Sequence, residues 1–109
     1  MNVSNYITED GREPFAEWIT ALRDREARTK IIKAIAKIRL GNFGDSVSAG
    51  SGVSELRLTH GLGYRVYYAK HGTEIVFLLC GGTKERQQKD INQAKEYWAE
   101  YKAKIKNKK

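Results

Sequence analysis

The feature that most constrains this chain is a change of hydrophobic period on either side of one Gly- and Ser-rich stretch. Ahead of it, Phe15, Trp18, Ile19 and Leu22 recur at i, i+3, i+4 and i+7, the spacing of one helix face. Pro14 suits the first turn, where its missing N–H costs nothing. A polar break, Arg23-Asp24-Arg25-Glu26, leads to a second helix. Ile31, Ile32, Ile35 and Ile38 make its apolar face, with Lys30, Lys33 and Lys37 together on the opposite one. Gly41 suits its C-terminus, and Gly41–Gly52 reads as loop.

Beyond that loop the period is two. Leu56 and Leu58 alternate with Arg57 and Thr59; Tyr64, Val66 and Tyr68 alternate with Arg65 and Tyr67. Lys70-His71-Gly72-Thr73 is a tight turn. Ile75–Cys80 is apolar on both faces, as in a central covered strand, and Gly81-Gly82 breaks it. A helix over about 87–105 aligns Ile91, Ala94, Trp98, Tyr101 and Ile105, and Val3–Thr8 adds a strand. The order is therefore β-α-α-β-β-β-α, an α+β fold. The expectation is a largely antiparallel β-sheet with an N-terminal helical hairpin and a C-terminal helix, the helices on one face. A length of 109 residues supports one domain, expected over residues 1–101 with 102–109 as a lysine-rich tail.

Composition excludes several classes. With 40% hydrophobic and 30% charged residues the chain is neither disordered nor fibrous. No apolar run approaches the roughly 20 residues of a membrane span, and the first residues carry no secretory pattern. The single cysteine, Cys80, forms no disulfide within the chain, so a cytoplasmic location is expected.

Charge is unevenly placed. The 20 Lys and Arg against 13 Asp and Glu give +7. Residues 27–39 and 102–109 each hold five bases and no acid, leaving the rest of the chain net −3. Clustered bases point to a polyanion partner, although a terminal lysine run also frays harmlessly in solvent.

Several chemistries find no residues to carry them. His60, His71 and Cys80 sit on different elements without metal-ligand spacing, so no metal or other cofactor is expected. His71 reads as a turn residue, and His60 as either a solvent-exposed loop histidine or a participant in chemistry. Cys80 ends an apolar strand as an inert thiol, and no nucleophile elbow or phosphate-binding glycine motif is present. What remains is a polar sheet face. If Leu56, Leu58, Val66 and Tyr68 face the core, then Arg57, Arg65 and Tyr67 share an uncovered surface. Lys84, Arg86 and Lys89 would rim it from the segment opening the last helix, a natural seat for phosphate oxygens. Arginines held around a phosphate stabilise phosphoryl transfer without metal. The same pattern fits exposed pairs of Arg57 and Arg65 with Glu55 or Glu85 equally well.

The motifs Ser54-Glu55-Leu56-Arg57-Leu58, Gly63-Tyr64-Arg65-Val66-Tyr67-Tyr68 and Leu79-Cys80-Gly81-Gly82-Thr83-Lys84 have a collective resemblance. With Lys89-Asp90-Ile91, Ala94 and Tyr97-Trp98, and with Pro14-Phe15 and Glu17-Trp18 near the start, the chain resembles the RelE/ParE toxin superfamily over about residues 1–100. Its nearest branch is the HigB-like addiction-module killer proteins. The resemblance implies a RelE-like fold and the toxin of a type II toxin-antitoxin system. Such a toxin is an endoribonuclease that cleaves messenger RNA on the ribosome, by attack of a ribose 2′-OH on the adjacent phosphate without metal. It implies as partner a cognate antitoxin, expected to be a helix-turn-helix DNA-binding protein, and no membrane.

By the same resemblance Arg65 holds the scissile phosphate, Arg57 is the basic strand residue, Lys84 and Arg86 lie in the basic loop after the central strand, and Asp90 is the functional acid. RNA is expected to meet Arg86, Lys89, Tyr67 and His60 around the site, with Lys30, Lys33 and Lys37 on the second helix. One departure stands out, because Glu55 occupies a position where some relatives carry a second lysine. Two other functions fit the same composition: a non-catalytic poison of DNA gyrase on the ParE pattern, or a plain basic nucleic-acid-binding module. The cluster of Arg57, Arg65, Lys84 and Arg86 favours the ribonuclease.

Overall fold

The computed structural model describes residues 1–106. Its elements are β1 (Asn2–Asn5), α1 (Pro14–Ala21), α2 (Arg25–Arg39), β2 (Ser46–Gly50), β3 (Val53–Leu58), β4 (Tyr64–His71), β5 (Ile75–Thr83) and α3 (Gln87–Lys106). A single 3₁₀ turn, Lys84–Arg86, joins β5 to α3. The fold is α+β, with a five-stranded sheet in the order β1-β5-β4-β3-β2.

Three expectations about this sheet need correction. It is mixed, not antiparallel throughout, because β1 pairs parallel to β5, its neighbour in the sheet but separated from it in the chain by α1, α2 and the β2–β4 strands. The segment expected to be loop contains β2, an edge strand antiparallel to β3. Its Ser-Val-Ser-Ala-Gly sequence has too little apolar alternation to announce itself. The hairpin between them turns through Ser51 and Gly52, both at positive φ, the geometry that matches strand twist. Finally, Gly81 and Gly82 do not end the central strand, which runs on to Thr83.

The helices also do not share one face. Ile31, Ile35 and Ile38 of α2 and Phe15 of α1 pack on Leu56, Tyr64, Val66, Tyr68, Val76 and Leu78. Ala94 and Trp98 of α3 pack instead on Val53, Tyr67, Ala69, Leu79 and Cys80 on the opposite side. A β-bulge makes this second face. Tyr67 pairs with Cys80 and Tyr68 with Leu78, so Leu79 has no partner across β4, and Leu79 and Cys80 both turn toward α3. The bulge resets the alternation beyond it. A Cβ on Gly81 would strike the Trp18 ring of α1, and one on Gly82 the carboxylate of Asp90 in α3. The two glycines are therefore where helices on both faces come closest to the sheet.

Helix α2 begins inside the expected polar break. Asp24 accepts a hydrogen bond from the Ala27 N–H at 3.0 Å, which satisfies one free amide of the first turn. At the far end, α3 continues through Lys106, close to the end expected for it, so Lys102, Lys104 and Lys106 of the lysine-rich segment are helical. Lys108 and Lys109 lie outside the described residues.

Candidate functional site

The register of the sheet assembles the basic residues. Arg57 on β3 stands opposite Arg65 on β4, and Arg65 stands opposite Gly82 on β5. Cross-strand partners face the same side, here the side of α3. That side is covered, contrary to the expectation of an open polar face. Tyr67 is fully buried and its hydroxyl donates to Glu55 at 3.2 Å, so it is a core residue and not an RNA contact. Arg65 is only 8% exposed, whereas Arg57 is exposed.

Arg65 emerges beside a glycine loop. The Gly63 N–H donates to the His60 carbonyl at 3.0 Å, and the Lys84 N–H donates to the Gly63 carbonyl at 2.7 Å. The loop after β3 is thereby tied to the turn after β5. Gly63 has φ of +75°, which favours glycine, and a Cβ there would lie 3.2 Å from the Lys84 Cβ and 4.0 Å from Arg65 Nη1. The bare backbone lets the lysine stem and the guanidinium share one small space. Arg65, Lys84 and His60, with the Gly61–Gly63 loop, line a cleft of about 380 Å3.

A second depression of about 360 Å3 adjoins it between α2 and β3. Lys30, Lys33 and Lys37 line it from α2, Leu56, Arg57 and Leu58 line it from β3, and Thr59 and His60 border both depressions. The lysine stripe, read from the sequence as the polar face of the second helix and as an RNA contact, lies across this groove from β3. His60 sits at the junction with its Nε2 3.3 Å from Asp24 Oδ2 and 3.9 Å from Glu26 Oε2. Its ring stacks on Tyr64 at a 6.5 Å centroid separation. The Ala27 N–H bond first, and the His60 ring after it, hold the Asp24 carboxyl below its ordinary value.

Glu55 is the residue that sequence reasoning undervalued. It is 1% exposed and accepts from Arg57 Nε at 2.8 Å, Gln87 Nε2 at 2.8 Å and the Tyr67 hydroxyl at 3.2 Å. Burial pushes its carboxyl up, but the bonds from Arg57, Gln87 and Tyr67 outweigh that and hold it below the ordinary carboxylate range. An Arg57–Glu55 pair forms, as one of the two readings open from the sequence has it, but its Glu55 end is buried rather than exposed. For Arg65 the corresponding ion pair does not form, and its buried Nε has no hydrogen-bond partner among the described residues.

Asp90 lies on the same face. Its Oδ2 is buried without a partner among the described residues, and burial raises its pKa against the lowering pull of Arg86 and Lys89. Arg86 in the 3₁₀ turn and Lys89 in α3 are both exposed, so they surround the acid without neutralising it by contact. Cys80 donates its thiol toward the Asp90 carbonyl at 3.7 Å, and burial pushes that thiol up to about 12. It is an inert core group. Among the described residues no three His, Cys, Asp or Glu side chains are grouped to hold a metal ion, and no helix is long and apolar enough to cross a membrane. A separate apolar cavity of about 310 Å3, between the end of β1 and α3, shares no residue with either basic depression.

No family model matches this chain. A Haemophilus influenzae protein, described as an uncharacterized protein, is 46% identical over 81 residues, which is 74% of this chain and 82% of the relative. At that identity and coverage, the chain belongs to the same family as the Haemophilus influenzae protein.

Proposed function

We propose that this protein is the toxin of a type II toxin-antitoxin system, with a RelE-like fold of the HigB-like branch. Its activity is cleavage of messenger RNA on the ribosome in the cytoplasm. The observation that carries the reading is the joined basic surface. Arg65 and Lys84 share one cleft, and His60 and Thr59 connect it to the groove between β3 and the α2 lysines. A groove lined by bases along one side and ending at a preorganised arginine suits a phosphodiester chain with one phosphate singled out.

In this reading Lys30, Lys33 and Lys37 hold the backbone of the RNA, and Arg65 with Lys84 grips the scissile phosphate. The ribose 2′-hydroxyl attacks phosphorus and releases its proton to water, the bond to the 5′-oxygen breaks, and a cyclic phosphate remains. Arg57 and Arg65 offset the charge that builds on the phosphoryl oxygens. Asp90, whose carboxyl pKa burial raises against the pull of Arg86 and Lys89, is in this reading the functional acid toward the departing 5′-oxygen. The net positive surface suits a cognate antitoxin that is acidic where it docks.

The test is primer-extension mapping of cellular transcripts after brief induction of the protein. New 5′ ends inside translated frames are expected, and their absence with Arg65→Ala. Intact messages accompanied by DNA breaks would instead indicate a gyrase poison.

A further inference from the structure

Burying a carboxylate is costly unless its hydrogen bonds are made inside the protein, so the hydrogen bonds at Glu55 need a reason. Both oxygens are occupied, and the side chain is 1% exposed. Glu55 therefore has no path to a ribose hydroxyl and acts only through its partners. Those partners come from three elements. Arg57 is on β3, Tyr67 on β4, and Gln87 is the first residue of α3, directly after the turn that carries Lys84 and Arg86. The bond from Arg57 engages Nε, which leaves the two terminal amines of that guanidinium to face a phosphate. The bond from Gln87 pins the start of α3 against the sheet.

We propose that Glu55 is a positioning residue that orients Arg57 and anchors the Lys84–Arg86 turn, so that the strand and turn bases converge on one phosphate. The inference rests on the ribonuclease reading above. It explains why a carboxylate persists amid bases that alone would attract the substrate more strongly. The negative charge is spent on geometry, since a misplaced phosphate contact costs rate even when binding survives.

The experiment measures kcat and KM for cleavage of ribosome-bound message by Glu55→Gln, Arg57→Ala and the double variant, with Arg65→Ala alongside. Glu55→Gln is expected to lower kcat about 10-fold with KM within about twofold. In the Arg57→Ala background it is expected to add at most a small further loss, because the two residues act as one unit. Gln87→Ala, which leaves the buried charge in place with one donor fewer, is expected to lower kcat about threefold with KM within about twofold while the protein stays folded, at some loss of thermal midpoint; it stands in if Glu55→Gln does not fold. Full activity of Glu55→Gln, multiplicative losses in the double variant, or an unaffected Gln87→Ala would overturn the proposal. If Arg65→Ala is inactive while Glu55→Gln is not impaired, positioning alone falls. If Arg65→Ala cleaves normally, the ribonuclease reading and the positioning role fall together.

Discussion

The carboxylate of Asp90 occupies the space where a side chain on Gly82 would be. The contact joins the first turn of α3 to β5 at the strand position directly opposite Arg65. It also buries one oxygen without a donor among the described residues, so an acid is held in place at a cost to stability.

Asp90→Asn is therefore expected to stabilise the protein while impairing it. Burying an ionised carboxylate oxygen without a donor costs about 1 kcal/mol or more, and Asn, which keeps the shape and an unpaired polar atom but not the charge, should recover part of that at neutral pH. The sign follows from the raised folded-state pKa. The penalty is present above that pKa and vanishes as pH falls below the ordinary aspartate value of 3.8. Chemical denaturation at pH 7 and near pH 3.5 should give a gain for Asp90→Asn only at the higher pH. Equal gains at both would remove the buried charge as the cause.

Gly81 faces the other way, onto Trp18. A methyl group there meets a rigid indole, so Gly81→Ala should destabilise by about 2 kcal/mol. For a domain of this size that lowers the thermal midpoint by roughly 10 °C. Gly81→Ala combined with Trp18→Leu should lose less than the sum of the two single changes, which a calorimetric double-mutant cycle will read.

Arg65→Ala should stop RNA cleavage by about 100-fold or more, the scale of a lost transition-state contact. Its stability cost should be only about 1 kcal/mol, from packing of the buried stem rather than from a broken ion pair. Arg65→Lys should recover part of the rate, because an ammonium cannot reproduce a bidentate grip. Growth on induction and thermal midpoints separate the two effects.

The lysine wall of the α2 groove should contribute affinity rather than chemistry. Replacing Lys30, Lys33 and Lys37 by Gln should leave kcat within about threefold and raise KM. If each touches one phosphate, the slope of log affinity against log salt should fall by about 0.7 per lysine for single-stranded RNA. An unchanged slope would place the RNA elsewhere.

Local pattern was enough to determine most of the secondary structure. The isoleucines of α2 and the alternation of β3 and β4 depend on residues within one helical turn or two strand positions. The pairing of Arg57 with Arg65 on one face followed from that alternation, and so did the solvated lysine stripe. Tertiary structure alone decided what lies over each face, because alternation separates two sides of a sheet without saying which one a distant helix covers. Docking of α3 converted Tyr67 from an expected surface contact into core and turned Glu55 into a buried hub. The bulge at Leu79 likewise has no local signature, yet it sets which of Gly81 and Gly82 faces α1 and which faces Asp90. Packing of α2 beside β3 brought Lys30, Lys33 and Lys37 into the same groove as Arg57. These are contacts between residues far apart in the chain, and their geometry comes from burial of the whole core rather than from any single segment.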